Sequence, residues 1–287
     1  MSSSDNSHWN PDPSAEHNTA AGIPDPPVVS SFDELTPPVV PAAPVPVENP
    51  AWNGWDVLVV IGLSIVTWLV SQFAILFGAH FFLYPRLSLI ELAQRPLLAL
   101  ISTLVVEVAI SVLLFLWIEG KYRVRFLQAV KWNWFAGIWR WIGLGVVMLF
   151  VLDVLSNFLP MPKDTPFDKL FSRPRDAYLI AIYAITLGPF VEELFFHGFF
   201  YPVLARRWGA ASGIFLTALP FALMHMPQYG DAWAAFLVIF IVGIVCGIVR
   251  AVTKSVGASF LVHVGYNGTQ MLLFVLFTRG FTHMPKG

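Results

Sequence analysis

Three short stretches late in the chain carry side chains able to break a peptide bond. In Thr186-Leu187-Gly188-Pro189-Phe190-Val191-Glu192-Glu193-Leu194-Phe195-Phe196-His197-Gly198, two adjacent carboxylates and a histidine stand among leucines and phenylalanines. Phe221-Ala222-Leu223-Met224-His225 closes the next apolar run, and His263-Val264-Gly265-Tyr266-Asn267 lies in the last one. Amide hydrolysis needs a base to activate water and donors to hold the developing oxyanion. Glu192 suits the base, and His225 can share the water and pass a proton to the leaving amine. His263 and the Asn267 amide can donate to the oxyanion. Glu193 and His197 stand four apart and can meet on one helix face, which reads equally well as a structural pair. One Glu with two His also makes a hydrolytic zinc triad, so Glu192, His225 and His263 keep a metal-dependent alternative open. The helical His-Glu-x-x-His pattern is absent, which favours a mechanism with no cofactor over zinc.

These groups work together only if the chain brings them to one depth. Pro189 removes a backbone donor and weakens the helix just before the acids. The midpoint between Glu192 and His225 falls at Trp208-Gly209, between one apolar run ending in Arg206-Arg207 and another opening at Gly213. Positions equidistant from the turn of an antiparallel helical hairpin lie at one height, so Glu192 and His225 are predicted to face each other. Counting inward from the basic loop Arg250–Lys254 leaves His263 offset from Glu192 by about 7 Å. Tilt or unequal loop ends must absorb that difference.

The surroundings are those of a membrane protein. The chain has 287 residues, 56% hydrophobic and only 12% charged, about half the charged share of a soluble domain. That balance argues against a soluble enzyme, a nucleic-acid partner and a wholly disordered chain. From Asp56 onward, apolar runs near 57–83, 97–118, 139–159, 177–204, 212–226, 233–249 and 256–277 are long enough to span a bilayer as helices. The predicted fold is therefore all-α, a polytopic bundle of about seven to eight transmembrane helices. Residues 53–176 form its N-terminal helices, 177–277 the core that carries the chemistry, and 278–287 a C-terminal tail.

Residues 1–52 read differently. The first 50 hold seven acids, no Lys or Arg, and 11 of the 22 prolines. So little large apolar surface cannot offset ordering entropy, and the tail is predicted to be disordered. Its run Pro37–Pro46 favours extended geometry and reads as a spacer. No basic segment followed by an apolar stretch opens the chain, so no cleaved signal peptide is expected. Lys and Arg divide almost evenly between the two sides of the bundle, so the positive-inside rule barely orients it.

Ionisable groups within spans are expensive and mark function by default. Besides the residues above, Glu107 and Asp153 stand out, and they read as helix-packing polar groups or, as the lesser reading, as groups lining a cavity. Gly243 and Gly247 form a small-xxx-small spacing that permits close helix contact and leaves room for a homo-oligomer. Trp132, Trp134, Trp139 and Trp141 read as interfacial anchors. The single cysteine, Cys246, excludes an intramolecular disulfide.

Taken in order, Glu192-Glu193, Phe221-x-x-x-His225 and His263-x-x-x-Asn267 resemble the CAAX protease and bacteriocin-processing family. Its members are intramembrane glutamic endopeptidases similar to the type II CAAX prenyl endopeptidase. The resemblance spans roughly residues 177–275. It implies that Glu192 activates water with His225 as partner, and that His263 and Asn267 stabilise the oxyanion. It further implies a peptide or membrane-protein substrate, contact with membrane lipid, and residence in a bacterial cytoplasmic membrane. One departure stands out: His197 occupies the place of a usual Arg, so a permanent, forked charge beside Glu193 is replaced by an imidazole. That departure motivates the alternative of a non-catalytic scaffold or immunity-type protein retaining the family fold.

Overall fold

The computed structural model describes residues 48–134, 137–162, 165–171, 173–230 and 232–283. Residues 1–47, with the proline run predicted to be a disordered spacer, lie outside the described residues, as do 284–287. The described chain is helical, with no strand among the described residues: α1 (Gly54–Gly78), α2 (Leu89–Ala93), α3 (Pro96–Phe115), α4 (Phe126–Ala129), α5 (Ile138–Ser156), α6 (Pro166–Lys169), α7 (Pro174–Ile185), α8 (Leu187–Glu192), α9 (Tyr201–Tyr229), α10 (Trp233–Thr253) and α11 (Val256–Phe277). Wider π-helical turns extend α1 over Ala79–Leu83, α3 over Leu116–Lys121 and α8 over Glu193–Phe200. The start signals are local. Asn53 and Asp56 form a capping box on α1, as do Ser88 and Glu91 on α2. Pro96 and Pro174 open α3 and α7, where a missing N–H costs nothing.

Six helical stretches are long and apolar enough to cross a membrane, one of them the 56-residue run Pro174–Tyr229. That run is folded. Gly209 lies at φ 83°, ψ 168° and breaks α9 into two legs, a left-handed conformation that glycine adopts without a Cβ penalty. Beyond it the legs close tightly: a Cβ on Gly213 would sit 2.9 Å from the Ala205 backbone. The hairpin predicted at Trp208–Gly209 is therefore present, and its two legs restore the seven runs read from the sequence. Large apolar side chains such as Trp68, Phe73, Val108 and Val151 are exposed along α1, α3 and α5. Lipid replaces water against such surfaces, and the chain is an integral membrane protein.

Glycine lets α5 and α11 approach at backbone distance. A Cβ on Gly145 would lie 2.1 Å from the Val262 carbonyl oxygen, and one on Gly265 would lie 2.3 Å from that of Ile142. Small residues at helix contacts serve this purpose in membranes. Gly243 and Gly247 are used in the same way within the chain, against Ala218 and Ile214 of α9.

At one end of the bundle the chain before α1 straps down the core. Glu48 and Trp52 are buried, although the sequence assigns both to the disordered segment. Glu48 accepts from Lys131 at 2.5 Å and Arg250 at 3.0 Å, and pairs with Lys254 at 3.5 Å. Burial alone pushes the Glu48 carboxyl up, but Arg250 and Lys131 outweigh it and hold the group below the usual carboxylate range. Trp52 stacks on Phe199 and donates its indole N–H to the Phe199 carbonyl at 2.8 Å. Arg206 donates to the carbonyls of Pro50 and Trp52. Beside this strap, the α10–α11 turn is covered: Ser255 is buried and donates to the Asn133 carbonyl, while Val256 N–H donates to that of Lys131.

Candidate active site

The helix bearing the acids is irregular on both sides of them. Thr186, at φ −116° and ψ −82°, separates α7 from α8, and Pro189 supplies no donor. After Glu192 the helix widens into the π-turn Glu193–Phe200, a distortion common at functional sites. The break leaves the Ala184 carbonyl available, and Asn267 Nδ2 donates to it at 2.8 Å. Asn267 thus secures the broken end, keeping its second amide proton and its oxygen.

Consecutive positions on a helix point about 100° apart, and here they face opposite surroundings. Glu192 opens onto a cavity of ≈ 390 Å³ whose walls include Tyr183, His225, His263 and Asn267. Its carboxylate is bracketed by two imidazoles: His225 Nε2 lies 3.6 Å from Oε1 and His263 Nε2 lies 3.7 Å from Oε2. Both separations slightly exceed hydrogen-bond length. His225 Nδ1 is 2.8 Å from the Phe221 carbonyl. A carbonyl only accepts, so Nδ1 carries a proton toward Phe221 and Nε2 is the nitrogen that faces Glu192.

Glu193 turns inward and is 0% exposed, against 16% for the Glu192 side chain. Its Oε1 meets His263 Nδ1 at 3.0 Å, and its Oε2 lies 4.0 Å from His197 Nε2. His263 therefore joins the two carboxylates through its two ring nitrogens, as a carboxylate orients the histidine of a hydrolytic triad. The pairing of Glu193 with His197 is close in space but longer than a hydrogen bond.

Glu192, Glu193, His225 and His263 thus form one contiguous cluster, with His197 against Glu193 on the buried side and Asn267 on the cavity wall. The expected offset of His263, about 7 Å, does not keep it from the acids: its Nε2 lies 3.7 Å from Glu192 Oε2. Glu107, from α3, accepts from the Tyr183 hydroxyl and packs as predicted. Asp153 follows its lesser reading: it is exposed and lines the cavity. Two members were not singled out. Tyr183 covers Gly188, its hydroxyl 3.4 Å from where a Cβ would stand. Cys246 lies behind Glu193 and His263: among the described residues, one donor atom from each of Glu193, Cys246 and His263 gathers within 4.8 Å. The sequence signal for both is thin, an aromatic near a Gly-Pro break and a single thiol in an apolar run.

Comparisons with curated proteins and with solved structures give no match. A family model does match: residues 174–269 fit the type II CAAX prenyl endopeptidase Rce1-like family. The matched residues contain both glutamates, all three histidines and Asn267, and they cover α7 through most of α11. In residues 174–269 the chain is thus similar to the Rce1-like type II CAAX prenyl endopeptidases, a family of membrane proteases.

Proposed function

We propose that the protein is an intramembrane endopeptidase that hydrolyses peptide bonds with water activated by Glu192. The observation that carries this reading is the Glu192 carboxylate held between His225 Nε2 and His263 Nε2 on the wall of a cavity. A water between Glu192 and His225 gives its proton to the carboxylate as its oxygen attacks the scissile carbonyl. The oxyanion that forms is met by donors from His263 Nε2 and the free amide proton of Asn267. His225 Nε2, which faces Glu192, takes the proton and delivers it to the leaving amine. Glu193 acts one layer back, its Oε1 3.0 Å from His263 Nδ1, and fixes that ring. Substrate is a peptide or membrane-protein segment, admitted from the membrane into the cavity.

The test compares membranes from cells carrying wild type and Glu192→Gln, by proteomics, for a peptide that accumulates uncleaved. The reading expects such a peptide with normal insertion of the variant. A normally expressed Glu192→Gln protein that still cleaves would overturn it. A catalytic zinc on Glu192, His225 and His263 is the second reading, favoured by both Nε2 atoms facing one carboxylate. It requires zinc that is lost on His225→Ala.

A further inference from the structure

Behind Glu192, away from the cavity, the charge balance is incomplete. Glu193 is fully buried, and its ion-pair partners among the described residues are His197 and His263, with no Lys or Arg. A buried carboxylate is strongly disfavoured unless a cation is supplied, and an imidazole brings no obligate charge. Glu193 Oε2 and both ring nitrogens of His197 are buried without a hydrogen-bond partner. Buried polar atoms are nearly always satisfied, so three orphans on two facing side chains call for an occupant.

We infer that Glu193, Cys246 and His263, with His197 as fourth donor, form a buried site for a thiophilic divalent cation of the zinc class. The first three place their ligand atoms within 4.8 Å of one another, and His197 Nε2 aims at the free oxygen of Glu193 from 4.0 Å. Ligand atoms around one tetrahedral zinc stand about 3.3–3.8 Å apart, so side-chain shifts of about 1 Å bring Glu193, Cys246 and His263 to that spacing, and His197 joins them by a larger rotation toward Glu193. Two anionic donors, carboxylate and thiolate, with two neutral imidazoles cancel the charge of a divalent ion. The thiol proton of Cys246 is released to solvent as the Zn–S bond forms. A single thiolate with nitrogen and oxygen donors suits zinc and its cobalt substitute over magnesium or calcium.

The site deepens the proposed function and rests on it in one respect. A cation on His263 Nδ1 forces the ring proton onto Nε2, making that nitrogen a fixed donor toward the oxyanion. The metal here is a positioning element, distinct from a catalytic zinc on Glu192 and His225.

The experiment uses the full-length protein without a histidine tag, purified in detergent, with metal measured by mass spectrometry and by cobalt exchange. About one zinc per chain is expected, and Co²⁺ should give a thiolate-to-metal charge-transfer band. Cys246→Ser and His197→Arg should each lose the metal, the second because a guanidinium fills the space with its own charge. Glu192→Gln should keep the metal while losing cleavage. Metal-free wild type, or Cys246→Ser retaining both metal and fold, would overturn the site while leaving the Glu192 reading intact. Zinc lost on His225→Ala but kept in Cys246→Ser would also overturn it. An active Glu192→Gln enzyme with its metal in place would instead sink the proposed mechanism and spare the site.

Discussion

Glu192 and Glu193 are neighbours in the chain, yet one belongs to an open half of the site and the other to a sealed half. The open half, Glu192 with His225 on the cavity wall, leaves gaps of 3.6–3.7 Å between its groups. The sealed half, Glu193 with His197 and Cys246, is buried on every side and braced by the strap through Trp52, Phe199 and Arg250. The difference teaches how a membrane protein can hold a reactive carboxylate. The open half needs room for water and substrate and therefore contributes little packing. The sealed half supplies the rigidity, because a histidine shared between the two carboxylates is only as well placed as the groups behind it.

Substitutions can test this division. The largest effect belongs to Glu192→Gln: turnover should fall about 10³-fold with thermal stability in detergent unchanged. A large loss of stability would show that Glu192 is structural after all. On the sealed side, Trp52→Ala removes the stack on Phe199 and a buried hydrogen bond. It should cost about 3 kcal/mol of stability, measured by thermal unfolding, while cleavage per folded molecule changes little. Collapse of turnover at full stability would erase the distinction between the halves. His225→Gln should lower turnover about 10²-fold in a steady-state assay and leave the melting temperature alone. The smallest effect is a pH dependence at the strap. The Glu48 carboxyl is held below its ordinary value of 4.5, so it stabilises the fold fully above that pH. The contribution is lost as pH falls through the lower folded value. Stability measured from pH 6 downward should therefore drop in wild type, with a shallower drop in Glu48→Gln.

Much of the architecture was legible because membrane solvation is unforgiving. An apolar run of sufficient length has one solution, a helix, and the position of the Gly209 turn followed from counting back equally from Glu192 and His225. Residues 48–52 were misread for a physical reason. Their composition matches the acidic, proline-rich tail, while their order comes from contacts with Arg250, Lys131 and Phe199, between 83 and 202 positions away for Glu48's two hydrogen-bonded cations. The Gly243–Gly247 spacing announced a close contact, but only packing showed that α9 fills it. Cys246 looked inert for the same reason: a lone thiol gains meaning from the carboxylate and imidazole beside it.

By itself the sequence determined the solvent, the helices and the chemical types at the site, since those depend on composition, run length and spacing within one segment. The tertiary structure decided which face each glutamate shows, how the start of α11 is anchored, and which ring nitrogen meets which carboxylate. Those depend on the Thr186 break, the π-turn after Glu192 and the covered α10–α11 turn. Each is a small backbone departure whose energy comes from distant partners, and no local pattern of residues records it.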